Sequence, residues 1–281
     1  MKVVDMQELE DRVKQIPAGT TPDPDGFTIN LFQNLWEMIK YEVLSIVEAS
    51  RVSGKVLSAF NATFVTLIPK EHGEDTPGKF HPIALCNVIL KMIMEIIANR
   101  LKVLLPILIF PEQDDFVEGR QILDGIITVH KIIHSLKIMK VPGILMKLDL
   151  SNLAYYKLRR DFIDRMPRAF EFANNWVNWV WNLVSLALFS IMVNGTPTQP
   201  FKASRGLRQG DPLSPFLFIL MMEGLGCLIE TKKANREIKG LGLHQDALAQ
   251  THQKFADDTM LMGYSSMHEA RTIKDNLNTF L

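Results

Sequence analysis

Apolar residues recur at helical spacing along four long stretches of the chain. Such spacing is typical of a helix that packs one face against a core. The pattern predicts helices over 29–50, 86–106, 123–140 and 210–233. The last of these begins with capping residues and ends at Lys232 and Lys233, whose charges complement the helix dipole.

Strand-like patterns fall between these helices. Residues 62–70 alternate and are rich in β-branched side chains, 143–151 are typical of a buried strand, and 253–263 are strand-like around two aspartates. Residues 71–85 are predicted to be a loop. Helices and strands in mixed order, without a clear linker between domains, predict an α+β architecture.

The range 172–201 contains no charged residue, and its apolar part is about long enough to cross a bilayer. Polar residues interrupt it at Asn178, Asn182, Ser185 and Ser190. It also divides into a helix to about Leu186, a strand over 188–193 and a turn signal at Asn194–Gly195. A buried helix followed by a strand is therefore favoured over a membrane span, and no membrane partner is expected.

Composition narrows the possible functions only a little. The 281 residues, 47% hydrophobic and 22% charged, suffice for one large domain or two ordinary ones. The 31 basic and 31 acidic residues balance, so a nucleic-acid role has to depend on local patches. Cys86 and Cys227 form no zinc motif and are predicted to be reduced core thiols. The N-terminus is too charged for a secretory signal, which leaves cytoplasm and nucleus open.

Two predicted strands carry aspartates, at Asp149 and at Asp257–Asp258. Mg²⁺ prefers oxygen ligands and is typically held by carboxylates together with substrate phosphates. Two such ions about 3.5–4 Å apart can stabilise the attacking and leaving oxygens of phosphoryl transfer. The adjacent pair has a second interpretation, a solvated turn that joins two short strands and binds no metal.

The segment 204–220 has features that suit phosphate. Arg205 and Arg208 lie among flexible glycines, and Gln209 precedes a predicted helix start. Backbone amides and cations at a helix N-terminus bind phosphate well. An ordinary loop with a good N-terminal cap is the alternative.

Several motifs, in a fixed order, are similar to those of a known family. They run from about residue 20 to the C-terminus and are PDPDGFT, TFVTLIPK, FHPIALCNVILKMIMEIIANRLK, FVEGRQILD, MKLDLS, GLRQGDPLSPFLFIL and FADDT. With them the chain resembles the reverse transcriptase domain of a LINE-type (non-LTR) retrotransposon, a plant-type copy that is truncated and partly degenerate. The combination of GLRQGDPLSP with FADDT is highly specific.

The resemblance implies a right-hand polymerase fold, with an N-terminal arm over 1–19, fingers over 20–145 and an incomplete palm over 146–281. Because the chain stops soon after the last aspartate motif, the thumb is expected to be absent. The implied reaction is attack of a DNA primer 3′-hydroxyl on a deoxynucleoside triphosphate, templated by RNA. The implied cofactor is Mg²⁺ or Mn²⁺.

The same resemblance implies roles for individual residues. Asp149, Asp257 and Asp258 take the places of the family's catalytic, metal-binding aspartates, with the Leu150 carbonyl as a further metal ligand. The nucleotide-binding positions are Lys70, His81, Tyr155, Gln209 and Gly210. The nucleic-acid-binding positions are Arg120 and Arg208.

The chain departs from the family pattern in the motifs around two of these positions. One extra residue between Ser151 and Ala154 changes the direction of the side chains that follow, Tyr155 among them. His81 replaces a fingers arginine, and a histidine is mostly neutral at pH 7.

Two further departures add polar or charged residues. Gln253 and Lys254 replace apolar residues on a strand expected to be buried, where Lys254 would extend its ammonium to solvent if it lay near an edge. Asp114, Asp115 and Glu118 add negative charge near Arg120, which opposes phosphate binding.

Three functions are compatible with these motifs. The first is an RNA-directed DNA polymerase domain. The second is a catalytically inert retrotransposon relic that binds nucleic acid weakly at most, and the departures favour it for this chain. The third is a metal-dependent nuclease, which leaves the GLRQGDP motif without a purpose.

Overall fold

The computed structural model describes residues 1–18, 24–73, 76–150, 158–242 and 249–280. In chain order its helices are α1 (Met6–Gln15), α2 (Ile29–Asn34), α3 (Trp36–Ser53), α4 (Val88–Lys102), α5 (Leu105–Leu108), α6 (Ile122–Met139), α7 (Asp161–Ala169), α8 (Asn174–Ser185), α9 (Ser214–Ala234) and α10 (Met267–Phe280). Its strands are β1 (Ala62–Pro69), β2 (Phe80–Cys86), β3 (Gly143–Asp149), β4 (Leu188–Val193), β5 (Thr196–Pro197), β6 (His252–Phe255) and β7 (Asp258–Tyr264).

The chain forms two compact units, each made from two segments of the sequence. Unit 1 comprises Met1–Arg100 and Arg160–Ser214, and unit 2 comprises Leu101–Arg159 and Pro215–Leu281. Both units interleave along the chain, so they do not coincide with the continuous ranges predicted for arm, fingers and palm. The assignment of those ranges stays a prediction.

Unit 1 contains a four-stranded sheet with the order β2-β1-β4-β5. Strand β1 is antiparallel to β2 and parallel to β4, and β4 and β5 form the hairpin predicted at Asn194–Gly195. Helix α4 supplies much of the core, since Leu90, Ile93 and Ile97 are all fully buried. The buried indole of Trp179 on α8 donates to Ser50 Oγ at 2.8 Å, which satisfies its only polar group.

Unit 2 contains a three-stranded antiparallel sheet with the order β3-β7-β6. Helix α6 packs on this sheet through a cluster in which Ile132 and Leu136 meet Leu241 and Met262. The segment before α6 runs along the free edge of β6, where the Lys254 amide donates to the Glu112 carbonyl at 2.7 Å. The β6 edge of the sheet is therefore covered.

Four sequence-based predictions were wrong in detail. Residues 80–85, predicted as loop, form most of strand β2, because pairing along β1 overrides local composition and an edge strand tolerates Pro82. The helix predicted over 29–50 is two helices that meet at Leu35. Strand β3 is half-buried or exposed along its length, not buried, and Cys227 is exposed on α9, not in the core.

The apolar range 172–201 forms α8, β4 and β5, as predicted. Among the described residues one helix, α9, is long and apolar enough to cross a membrane by length and composition. Of its most apolar window 67% is buried inside the protein, as in a core helix.

Candidate functional site

The two adjacent aspartates lie at a tight hairpin between β6 and β7. Phe255 pairs with Asp258, so Ala256 and Asp257 form the two-residue turn. Ala256 has φ 48°, in the left-handed region that L-residues other than glycine adopt at a cost. This turn puts Asp257 at the tip of the hairpin and Asp258 at the first position of the following strand.

Strand β3 brings the third aspartate to the same place. Asp149 is the direct partner of Asp258 in the antiparallel register, and the Leu150 amide donates to the Asp257 carbonyl at 2.9 Å. Directly opposed residues in such a pair have Cβ atoms about 4.5–5.5 Å apart on one face of the sheet. The fold therefore joins the two aspartate motifs, although they are far apart in sequence.

The charges at this hairpin are partly compensated within unit 2. Asp149 is exposed, whereas Asp257 and Asp258 are half-buried. Lys147 Nζ lies 2.9 Å from Asp258 Oδ2. The hydrogen bond with Asp258, together with the charges of Asp149 and Asp257, raises the pKa of Lys147.

Carboxylate oxygens are the donors that Mg²⁺ prefers, and one or two of them suffice when substrate phosphates complete the coordination. Asp149 and Asp258 meet that requirement by type and by register. Over the described ranges, no group of three or more histidine, cysteine, aspartate or glutamate side chains is arranged to hold a metal ion. The residues fit an ion that is shared with a substrate and not one enclosed by protein ligands alone.

The role of the Leu150 carbonyl stays a prediction. The structure ties Leu150 to the hairpin through its amide, and its side chain is buried. Tyr155 and the extra residue after Ser151 lie outside the described residues.

The sequence suggested that Lys254 would extend its ammonium group to solvent near a sheet edge, but the structure shows that it does not. Its side chain and that of Glu223 on α9 are each only 1% exposed, and Nζ lies 3.0 Å from Glu223 Oε2. Glu223 Oε1 also accepts from the Phe110 amide at 3.0 Å. Sequence reasoning missed Glu223, although a lone carboxylate in the apolar run of α9 was a signal that it needed a partner.

Gln253 is also paired inside unit 2. Its Nε2 donates to Asp114 Oδ2 at 2.8 Å, and both groups lie against α6 where Gly125 leaves room for them. Burial raises the pKa of Asp114, more than the hydrogen bond from Gln253 lowers it. The Asp114 carboxylate therefore has its hydrogen-bond partner within unit 2.

Asp115 is the next acidic residue of this segment. Its Oδ1 accepts from the Phe116 amide at 2.9 Å. Its pKa is raised by burial and, to a smaller extent, by the charge of Asp257. The segment therefore adds a further carboxylate within electrostatic range of the hairpin.

Arg120 makes structural contacts in unit 2. Its guanidinium donates to the carbonyls of Ile109 and Gln113, both at 2.8 Å, and to that of Phe110 at 2.5 Å. These bonds hold the segment 109–113, and a nucleic-acid contact by Arg120 stays a prediction.

Unit 1 holds the remaining predicted positions. Lys70 and His81 are exposed near the loop end of the β1–β2 hairpin, where His81 pairs with Ile68 and the Lys70 amide donates to the Lys79 carbonyl. Residues opposite and two apart along a strand share a face, so Lys70 and His81 project from the same side.

The loop residues Gln209 and Gly210 lie against strand β2. The Gln209 carbonyl accepts from the Ala84 amide at 2.8 Å. Gly210 has φ 100°, a conformation that favours glycine, and an added Cβ would lie 3.4 Å from Ile83. The loop is thereby fixed on the strand that carries His81.

The predicted nucleic-acid contact by Arg208 is not supported. This residue is 5% exposed, and its guanidinium donates to the Leu183 carbonyl at 2.9 Å and to Asn61 Oδ1. A buried guanidinium with internal acceptors cannot reach a phosphate at the surface.

The start of α9 is also closed to phosphate. Asp211 Oδ1 accepts from the amides of Leu213 and Ser214 at 2.9 and 2.6 Å. Burial raises the pKa of Asp211, against the charge of Arg208 and these amide bonds, which lower it. The segment is a capped loop at this point, which was the alternative interpretation.

The fold is shared with a polymerase of known structure. A solved structure of apo telomerase from Candida tropicalis, truncated from its C-terminal domain, superposes with a TM-score of 0.53 at 15% identity. The similarity covers 90% of this chain and 52% of that one. It identifies the architecture as the right-hand polymerase fold of α+β class.

Residues 68–281 match the family model described as reverse transcriptase (RNA-dependent DNA polymerase). The chain belongs to this reverse transcriptase family, and its relatives include non-LTR retrotransposon proteins. It is 24% identical over 259 residues to the transposon TX1 uncharacterized 149 kDa protein of Xenopus laevis, which covers 92% of this chain and 19% of that protein.

Other relatives match shorter parts. The Pol polyprotein of the type-1 retrotransposable element R2 from Nasonia vitripennis is 27% identical over 76% of this chain and 20% of its own length. The uncharacterized mitochondrial protein AtMg01250 of Arabidopsis thaliana is 43% identical over 24% of this chain and 56% of its own length. The chain therefore spans about a fifth of the length of its first two relatives. Its plant-type origin stays a prediction.

Proposed function

We propose that this chain carries the polymerase core of a non-LTR retrotransposon protein and performs RNA-directed DNA synthesis through Asp149, Asp257 and Asp258. The observation that carries the proposal is the register in which Asp149 opposes Asp258 and the Asp257 carbonyl accepts from the Leu150 amide. The substrates are an RNA template, a DNA primer and deoxynucleoside triphosphates. The cofactor is Mg²⁺ or Mn²⁺, held by Asp149, Asp257 and Asp258.

Bound divalent ions would supply charge neutralisation and orientation of the reacting oxygens. The protein's own part is to keep the carboxylates together at one end of a β-ladder that extends to Gly143 and Tyr264. Because paired strands restrict the backbone, the carboxylates need little reorganisation before reaction.

Lys70 and His81 support the nucleotide-binding part of the proposal. They share one face of an exposed hairpin, which suits contact with a triphosphate. The ammonium group of Lys70 supplies positive charge on this face. Binding of the triphosphate should therefore weaken with rising salt.

Primer extension on poly(rA) with an oligo(dT) primer tests the proposal, with Mg²⁺ and Mn²⁺ in separate reactions. Asp257→Asn should reduce extension by at least about 100-fold, since it removes one carboxylate from the reaction centre. Asp275→Asn, on the exposed side of α10, is the matched control and should extend normally. Extension that survives Asp257→Asn would disprove the assigned site.

A second candidate is a folded relic without turnover. The ion pair between Lys147 and Asp258 and the replacement of a fingers arginine by His81 favour it. A chain that melts cooperatively but does not extend any primer with either metal would establish this alternative.

A further inference from the structure

Lys147 stands on the same sheet face as the candidate metal-binding aspartates. In the ladder between β3 and β7, Lys147 pairs with Met260 and Asp149 pairs with Asp258. Lys147 and Asp149 are two residues apart on one strand and therefore point to the same side. From this position Lys147 reaches diagonally to Asp258, with 2.9 Å between Nζ and Oδ2.

This contact places an ammonium group where a divalent cation would take a ligand oxygen. A carboxylate oxygen that accepts a hydrogen bond from an ammonium presents less negative charge to a second cation. The positive charge of Lys147 also repels a cation bound at Asp149 and Asp257. Both effects weaken metal binding.

The same contact is easily exchanged. The side chains of Lys147 and Asp258 are 61% and 44% exposed. Ion pairs of such exposure contribute little to stability and are screened by salt. The long lysine side chain can therefore leave Asp258 without disturbing the strand that carries it.

We propose that Lys147 is an internal competitor of the divalent cation: its pairing with Asp258 lowers the affinity of the aspartate site for metal. Lys147 acts through Asp258 and is thus a positioning residue. The inference rests on the proposed function, because it requires that the aspartates bind a metal.

Titration of the full chain with Mn²⁺ at low salt tests this, with free Mn²⁺ followed by electron paramagnetic resonance. A unit charge within about 4–6 Å changes the ionisation equilibrium of a carboxylate by 10- to 1000-fold. For an exposed pair we expect the lower end, so Lys147→Met should bind Mn²⁺ about 10-fold more tightly than the unchanged chain. Structural damage would weaken binding and cannot produce this gain.

Two controls separate the competition from a general charge effect. Lys147→Arg keeps the charge and should bind Mn²⁺ within about 3-fold of the unchanged chain. Lys274→Met, an exposed lysine on α10, removes the same net charge elsewhere and should leave the affinity unchanged. The gain from Lys147→Met should shrink when Asp258→Asn is added, because only the repulsion of a cation bound at Asp149 and Asp257 then remains.

The outcomes distinguish this inference from the proposed function. If Asp257→Asn removes Mn²⁺ binding but Lys147→Met leaves it equal or weaker, the competition is disproved and the metal site stands. If neither the unchanged chain nor Lys147→Met binds Mn²⁺ through Asp257, both ideas fail. Binding that appears only in Lys147→Met supports the competition directly.

Discussion

Loss of the Lys254 charge should selectively loosen unit 2. Lys254 and Glu223 are each 1% exposed, so neither can exchange its partner for water. In Lys254→Met the Glu223 carboxylate keeps its bond from the Phe110 amide but loses the ammonium group that lies 3.0 Å from it. A buried carboxylate left in this state is costly.

The expected loss is about 3–5 kcal/mol, the usual effect of removing one member of a buried ion pair. Helix α9 packs closely on the ammonium group, because a Cβ added at Gly226 would lie only 3.0 Å from Lys254 Nζ. Replacing both charges should recover most of the loss. In Glu223→Gln with Lys254→Met the glutamine oxygen still accepts from Phe110, so we expect stability within about 1.5 kcal/mol of the unchanged chain.

Hydrogen exchange followed by mass spectrometry is the suitable assay. All four tryptophans lie in unit 1, so their fluorescence would not follow unit 2. Peptides over 252–264 should exchange faster in Lys254→Met by the factor that corresponds to 3–5 kcal/mol, about 100-fold or more. Peptides of β1 and β4 should be unaffected.

Lys239→Met is the matched control, since it removes an exposed lysine of the same unit. Its exchange rates should equal those of the unchanged chain. A loss below about 1 kcal/mol in Lys254→Met would refute the reasoning, because such a value is typical of a solvated surface pair.

Two further predictions concern unit 2. Gly125→Ala should lower the melting temperature, because its Cβ would lie 2.0 Å from Asp114 Oδ2. Adding Asp114→Ala should restore most of the loss. Equal melting temperatures for Gly125→Ala and the unchanged chain would contradict this explanation. Burial lowers the pKa of His252 to about 3, so the unfolded chain binds a proton below about pH 6.5 that the folded chain refuses. Stability should therefore fall by about 2 kcal/mol between pH 7 and 5 in urea unfolding. His252→Gln should lose this slope, whereas the exposed His268→Gln should keep it.

Local features of the chain were predictable where the signal is short-range. The bounds of α6 and β1 and the hairpin at Asn194–Gly195 follow from periodicity and turn chemistry, which depend on neighbouring residues only. The family was predictable for a similar reason, since its motifs are contiguous. Strand β2 was not, because its partner β1 and not its own composition makes it a strand.

The burial of individual charged residues was not predictable from the sequence. Arg208 and Lys254 carry the same formal charge as surface residues, and their sequence context gives no sign of their partners. Arg208 meets Leu183 and Asn61 inside unit 1, while Lys254 meets Glu223 inside unit 2. Both were therefore assigned to solvent or to nucleic acid when only the sequence was considered.

By itself the amino-acid sequence determined the class of fold, the family and the aspartates that carry the candidate chemistry. Only the tertiary structure decided that Asp149 opposes Asp258, that Lys147 holds the latter, and which charges are buried. The physical reason is one of range. Periodicity and turn geometry act over a few residues, whereas burial and ion pairing depend on neighbours that only folding brings close.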